Sequence, residues 1–149
     1  MRIFKFIKRL YHMDWSTLQK NDKLYLLVPI TKNNNIYYQF QESYVISHKV
    51  NKGIIYIRFK YTDSTNHRRR EDFWIYSKDI NSPYICISKN IYDHIPKYGH
   101  MIVCYDEPNT LNVVYHEMIT KKIDETNNLI NDQKQFLKFL ENQKFNQIV

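Results

Sequence analysis

The chain has 149 residues, 43% hydrophobic and 25% charged, with 22 Lys and Arg against 15 Asp and Glu for a net charge of +7. That length suits one domain, and aromatic residues at 15%, with 13 Tyr and 8 Phe, supply bulky side chains for a core, so a wholly disordered chain is excluded. Only two glycines are present, too few for a glycine-rich phosphate loop, and tight turns must rest on Asn and Asp, which tolerate the left-handed backbone region.

The first ten residues carry Ile3, Phe4, Phe6, Ile7 and Leu10 between Arg2, Lys5, Lys8 and Arg9. With Tyr11 this is the i, i+3, i+4, i+7 pattern of a basic amphipathic helix, expected over residues 1–20, unless Asp14 or Ser16 begins a second short turn. Lys5 and Lys8 interrupt the apolar run and no small-residue cleavage site follows, so a secretory signal is not expected. The helix either packs Ile3, Phe6, Ile7 and Leu10 on its own domain or enters a partner's groove; a protein groove suits it better than lipid.

A β domain is expected over residues 22–108. Leu24 to Ile30 is a short apolar run, followed by Asn33-Asn34-Asn35 and then Ile36 to Phe40. Tyr44 to Val50 alternates in character, Asn51-Lys52-Gly53 reads as a turn, and Ile55, Ile57, Phe59 and Tyr61 alternate with Ile54, Tyr56, Arg58 and Lys60. Alternation on both sides of a short turn is a hairpin signal. Thr62 to Arg70 reads as a polar loop carrying His67-Arg68-Arg69-Arg70, and Phe73 to Tyr76 as the next strand. Tyr84 to Ile87 is a further strand, Ser88 would cap a brief helix over 89–95 that Pro96 stops, and Met101 to Tyr105 is the last strand. Sequential strands with short connections usually pair with each other. The fold class expected is therefore α+β: a small antiparallel β-barrel or sandwich-like meander of about five to seven strands, with a helix at each end.

The C-terminal helix is expected over residues 110–146, where neither Gly nor Pro occurs. Ile123, Ile130 and Leu137 recur every seven residues, but Thr126 and Gln133 occupy the seam between them, which makes a poor coiled coil. A helix lying on the β domain or on a neighbouring subunit fits better. Together the segments make one structural domain.

Chemistry is sparse. There is no Gly-x-Ser-x-Gly elbow, Walker loop or dinucleotide fingerprint, and no two histidines have the i, i+4 spacing of a helical metal pair. No catalytic residue, cofactor or metal is expected, and neither a small-molecule substrate nor a membrane. A third reading, a small nuclease, needs His67 or His94 in a concave pocket beside a second titratable group. Cys86 and Cys104 sit in apolar runs without a Cys-x-x-Cys, so reduced thiols and an intracellular setting are expected.

Charge is uneven: residues 1–61 hold half of the 22 cations but only three of the 15 acids. The leading expectation is a non-catalytic assembly or interaction module with other protein subunits as partners, homo- or hetero-oligomeric, contacting them through Phe4, Ile7, Leu10, Tyr11, Ile123, Ile130 and Leu137. The alternative is nucleic-acid binding, or an acidic partner, through Lys5, Lys8, Arg9, Arg58 and the Arg68, Arg69 and Arg70 loop. A compact β domain, an AT-rich style of composition and a helical tail resemble small phage proteins in general look, a likeness that transfers no site residues. It extends the expectation to a virion component or phage-encoded binder, in the host cytoplasm or in a virus particle.

Overall fold

The computed structural model describes residues 14–88, 91–93, 96–105 and 108–146, with the backbone alone at 77 and 91–93. The expected N-terminal helix, with Lys5, Lys8, Arg9, Phe4, Ile7, Leu10 and Tyr11, lies outside these residues. Its proposed extension toward residue 20 is replaced by a single 3-10 turn, Trp15–Thr17. Asp14 starts that turn because its carboxylate accepts hydrogen bonds from the Ser16 and Thr17 amides, while Thr17 Oγ1 accepts from the Asp14 amide.

The fold is α+β. Eight strands follow: β1 (Lys23–Lys32), β2 (Asn35–Tyr44), β3 (Ser47–Asn51), β4 (Ile54–Thr62), β5 (Arg68–Tyr76), β6 (Tyr84–Ser88), β7 (Ile91–Asp93) and β8 (Met101–Cys104). They form two antiparallel sheets, ordered β2-β1-β8-β6-β7 and β3-β4-β5. One long helix, α1 (Pro108–Asn146), ends the described chain. The chain divides into two compact units, residues 1–115 and 116–149. No helix among the described residues is long and apolar enough to cross a membrane.

Turn chemistry sets the hairpins. Asn33 and Asn34 both take positive φ, 53° and 63°, between the paired residues Lys32 and Asn35. Lys52 and Gly53 do the same between Asn51 and Ile54. Two successive left-handed residues match the right-handed strand twist and fix a two-residue hairpin. The third hairpin, β4–β5, closes over a longer turn built on Asp63. The brief helix expected over 89–95 is not formed where the chain is described: Ile91–Asp93 is a strand that pairs with β6, placing Ser88 opposite Ile91. Its β-branched and aromatic residues favour a pleated strand over one isolated helical turn.

Alternation decides which side is buried. Leu24, Leu26 and Val28 of β1, Ile55, Ile57 and Phe59 of β4, Phe73 and Ile75 of β5, Ile85 and Ile87 of β6, and Met101 and Val103 of β8 share one core drawn from both sheets. Trp15 stands within it, fully buried, with edge-to-face packing on Phe73 at 5.6 Å and Tyr105 at 4.6 Å. Its indole N–H donates to the Ser82 carbonyl at 2.6 Å, so the ring leaves no polar atom stranded. The other side of the larger sheet buries Leu27, Cys86, Ile102 and Cys104. The first turns of α1 add buried Leu111 and Val114, and Tyr115 stands 6.1 Å from the Tyr38 ring.

Among the described residues the strands make two open sheets and no closed barrel, which corrects the barrel expectation. The simple meander also fails, because β8 inserts between β1 and β6. One junction between the two sheets lies between β2 and β4. β3 pairs only as far as Arg58, so the far half of β4 lacks a backbone neighbour on that side. Side chains supply it instead. Gln41 donates to the Thr62 carbonyl at 2.8 Å and accepts from the Thr62 amide at 2.9 Å, and Ser43 donates to the Lys60 carbonyl at 2.5 Å. The Thr62 amide and carbonyl and the Lys60 carbonyl are thereby satisfied without a ladder.

Candidate functional site

The three-stranded sheet has one face in the core, carrying Ile55, Ile57, Phe59, Phe73 and Ile75. Successive side chains on a strand point to opposite faces, so the intervening residues form the other face. Register places them in cross-strand rows: Lys49 beside Tyr56 beside Trp74, Ser47 beside Arg58 beside Asp72, then Lys60 beside Arg70. Tyr76 stands opposite Ile54 at one end and Arg68 opposite Thr62 at the other. The outward rows carry five cations and one carboxylate, a far stronger bias than the chain as a whole.

Aromatic rings share this face. Tyr56 is 43% and Tyr76 49% exposed. Trp74 is half-buried, and its ring centroid lies 6.4 Å from that of Tyr56 with the planes inclined at 48°. Between the rings and the Arg58–Asp72 row is a shallow depression of about 360 Å³, lined by Ser47, Lys49, Tyr56, Arg58, Asp72 and Trp74 among others. That volume is at the low end for small-ligand sites, about 300–1,000 Å³.

Arg58 and Asp72 face each other across the ladder and pair through both guanidinium and carboxylate branches, at 2.6 and 3.0 Å. The Arg58 hydrogen bond holds the Asp72 carboxyl below its ordinary range, and nearby Arg70 lowers it further. One cation is therefore committed to the one acid, while Lys49, Lys60 and Arg70 give the face its positive character.

The arginine cluster is not in a loop. Arg68, Arg69 and Arg70 belong to β5 and pair with Thr62, Tyr61 and Lys60, which corrects the sequence expectation. Three consecutive cations hide the apolar–polar alternation on which strand recognition depends. As strand residues they cannot all face one way. Arg70 joins the basic face. Arg69 points to the other side, where its Nε donates to Asp63 at 2.6 Å. Arg68 ends the row over a polar hollow shared with Gln39, Gln41, Glu42 and Asp63.

Asp63 organises the hairpin tip. Its carboxylate accepts from the Thr65 and His67 amides at 2.9 and 3.0 Å and from the Thr65 hydroxyl at 2.7 Å, besides Arg69. These bonds, Arg69 first among them, hold its carboxyl well below the usual range. A carboxylate more acidic in the folded than in the unfolded chain stabilises the fold above its unfolded value of about 3.9. That contribution fades as pH falls through the lower folded value. The thermal midpoint of Asp63→Asn is therefore expected to fall less steeply than wild type between about pH 5 and 3. Parallel pH profiles would show that Asp63 does not anchor the tip.

His67 stands exposed at this tip, its Nδ1 2.6 Å from the Thr65 hydroxyl, and His94 lies outside the described residues. Among the described residues no group of three or more His, Cys, Asp or Glu side chains could hold a metal ion. Tyr38 is engaged structurally: its hydroxyl accepts from the Gly99 amide at 2.6 Å and donates to the His100 carbonyl at 2.8 Å. Burial pushes its phenol up.

In the second unit, residues 120–146 of α1 are all exposed. Ile123, Ile130 and Leu137 fall on one side of the helix, with Leu129, Phe136 and Leu140 beside them. Of the residues singled out from sequence, the structure thus brings Arg58 and Arg70 onto one face, with Arg68 at its end, and turns Arg69 away. Lys49, Lys60, Tyr56, Trp74 and Tyr76 complete the face; Lys60, Tyr56 and Trp74 already stand close to Arg58 and the arginine run in sequence, whereas Lys49 and Tyr76 join them only through strand register. Comparison with protein-family models, curated proteins and solved structures finds no match to this chain.

Proposed function

We propose that the protein is a non-catalytic interaction module whose three-stranded sheet presents its outer face to an anionic macromolecule. The observation that carries this reading is the convergence of Lys49, Arg58, Lys60, Arg68 and Arg70 on the outward rows against Asp72 alone. Clustered cations of one sign attract and orient an anionic partner over a distance set by salt, about 8–10 Å near physiological ionic strength. The rigid ladder holds their Cα positions, so recognition does not wait on ordering a loop. Binding of a generic polyanion such as heparin tests the reading: affinity should drop steeply between low and moderate salt. Salt-independent binding, or none, contradicts it.

The exposed stripe on α1 favours a second reading, assembly with other protein subunits. Eight large apolar side chains exposed over residues 120–146, six of them on this stripe, are unusual for an isolated surface, and Thr126 and Gln133 in the seam would set register at some cost in stability. Light scattering on a gel-filtered sample tests it. An oligomer that dissociates in the Ile130→Lys, Leu137→Lys double variant would support assembly. A monomeric wild-type protein would remove it.

A further inference from the structure

Resting on the anionic-partner reading, we propose that the ligand of the sheet face is a single-stranded nucleic acid. Tyr56 and Trp74 receive unstacked bases, and Lys60 and Arg70 follow the phosphates. Cations alone would suit an acidic protein, a lipid surface or a duplex equally well. The rings decide between them. An exposed Tyr56 beside a half-buried Trp74 within a basic face gains little from a carboxylate-rich peptide, whereas every base has a π-face to lay against a ring. A duplex keeps its bases stacked inside and offers this open sheet only phosphates and groove edges.

The arrangement of charge along the face fits a strand with two unlike sides. Asp72 stands in the row next to Trp74 and opposite Arg58. Paired with Arg58, that carboxylate leaves the middle row near neutral, and its remaining lone pairs can accept hydrogen bonds from base N–H groups. Beyond it, Lys60 and Arg70 face each other across the ladder with Arg68 further on. The face thus grades from an aromatic row with a shallow depression, which holds Lys49 beside the rings and is suited to bases, to the Lys60 and Arg70 row with Arg68 beyond it, suited to the backbone. Outward positions along a strand repeat about every 6.8 Å, so the row from Tyr56 to Thr62 is about 20 Å long. That accommodates a short site, near the lower limit of about four nucleotides seen for comparable sheet platforms. Nothing in the rows reads base edges through a fixed bidentate fork, since the Arg58 guanidinium is held by Asp72. Sequence preference is expected to be weak.

The test is a fluorescence-anisotropy titration of the full chain with labelled oligothymidylate of roughly fifteen nucleotides, a hairpin duplex of equal nucleotide count, and polyglutamate. The single strand should bind at least tenfold more tightly than the duplex and far more tightly than polyglutamate. Tyr56→Ala with Trp74→Ala should weaken the single strand tenfold or more and leave the duplex nearly unchanged, and Trp74→Phe should restore most of the loss. Should the double variant fail to fold, Trp74→Phe and the wild-type comparison of strand with duplex still decide the matter. Equal affinity for strand and duplex, equal loss on both, or preference for polyglutamate would overturn this assignment while leaving the anionic-partner reading intact. No binding to any polyanion would remove both.

Discussion

Phe73→Ala is expected to lower the stability of the β domain by about 3–5 kcal/mol, a large fraction of the roughly 5–15 kcal/mol that holds a domain folded. Phe73 is fully buried in the core that both sheets share. Its ring meets Trp15 edge-on at 5.6 Å and Phe59 at 5.7 Å, so truncation opens a cavity against two other rings. Trp15 is pinned by its bond to the Ser82 carbonyl and cannot readily collapse into the space. The neighbours of Phe73 in sequence, Asp72 and Trp74, stand on the opposite face. Damage at Phe73 should therefore disturb the outer face of the three-stranded sheet from behind. Urea denaturation followed by circular dichroism measures the change. A loss below about 1 kcal/mol would mean that this aromatic group is less tightly packed than its geometry implies.

The second large effect is on binding. Reversing two charges in one row, Lys60→Glu with Arg70→Glu, is expected to weaken polyanion binding on the order of 100-fold at low salt while leaving the fold intact. Both side chains lie on the outer face, and the Lys60 backbone bond to Ser43 does not involve its side chain. For a single-stranded ligand, the logarithmic salt slope should fall by about 0.7 for each phosphate no longer neutralised, roughly 1.4 in all. The informative control is Lys121→Glu with Lys122→Glu on α1, which makes the same change in net charge outside the sheet. If the control weakens binding as much, net charge rather than the face governs the interaction.

Local features of this fold are legible in the amino-acid order, and non-local ones are not. The Asn33-Asn34 and Lys52-Gly53 hairpins can be read because left-handed turn residues and flanking alternation are properties of a few consecutive positions. The same is true of α1, which starts at Pro108, close to its expected beginning. The insertion of β8 between β1 and β6 cannot be read this way, because β-propensity carries no information on which distant strand will pair. The seam between β2 and β4 escapes for a related reason. Gln41 and Ser43 act there as substitutes for a backbone partner, a role that depends on β3 being too short to reach.

The site shows the same division. The two alternating sets of β4 are visible in sequence, with Tyr56, Arg58 and Lys60 on one of them. The continuation into β5 is hidden, because Arg68-Arg69-Arg70 is polar on both faces and reads as a loop. Only the register, Lys60 opposite Arg70 and Tyr56 opposite Trp74, joins the basic and aromatic residues into one surface. The net charge of the N-terminal half gives a basic bias without locating a basic face, since charge is a sum and a face is an arrangement.

The most direct test is an amide chemical-shift map of the full chain titrated with a short polyanion at low salt. The predicted result is a continuous set of perturbed amides in β4 and β5, centred on Tyr56, Arg58, Lys60, Arg70 and Trp74 and reversed by added salt. Shifts confined to residues 120–146, or scattered over all surface lysines alike, would contradict the claim that the outer face of the three-stranded sheet is the functional surface.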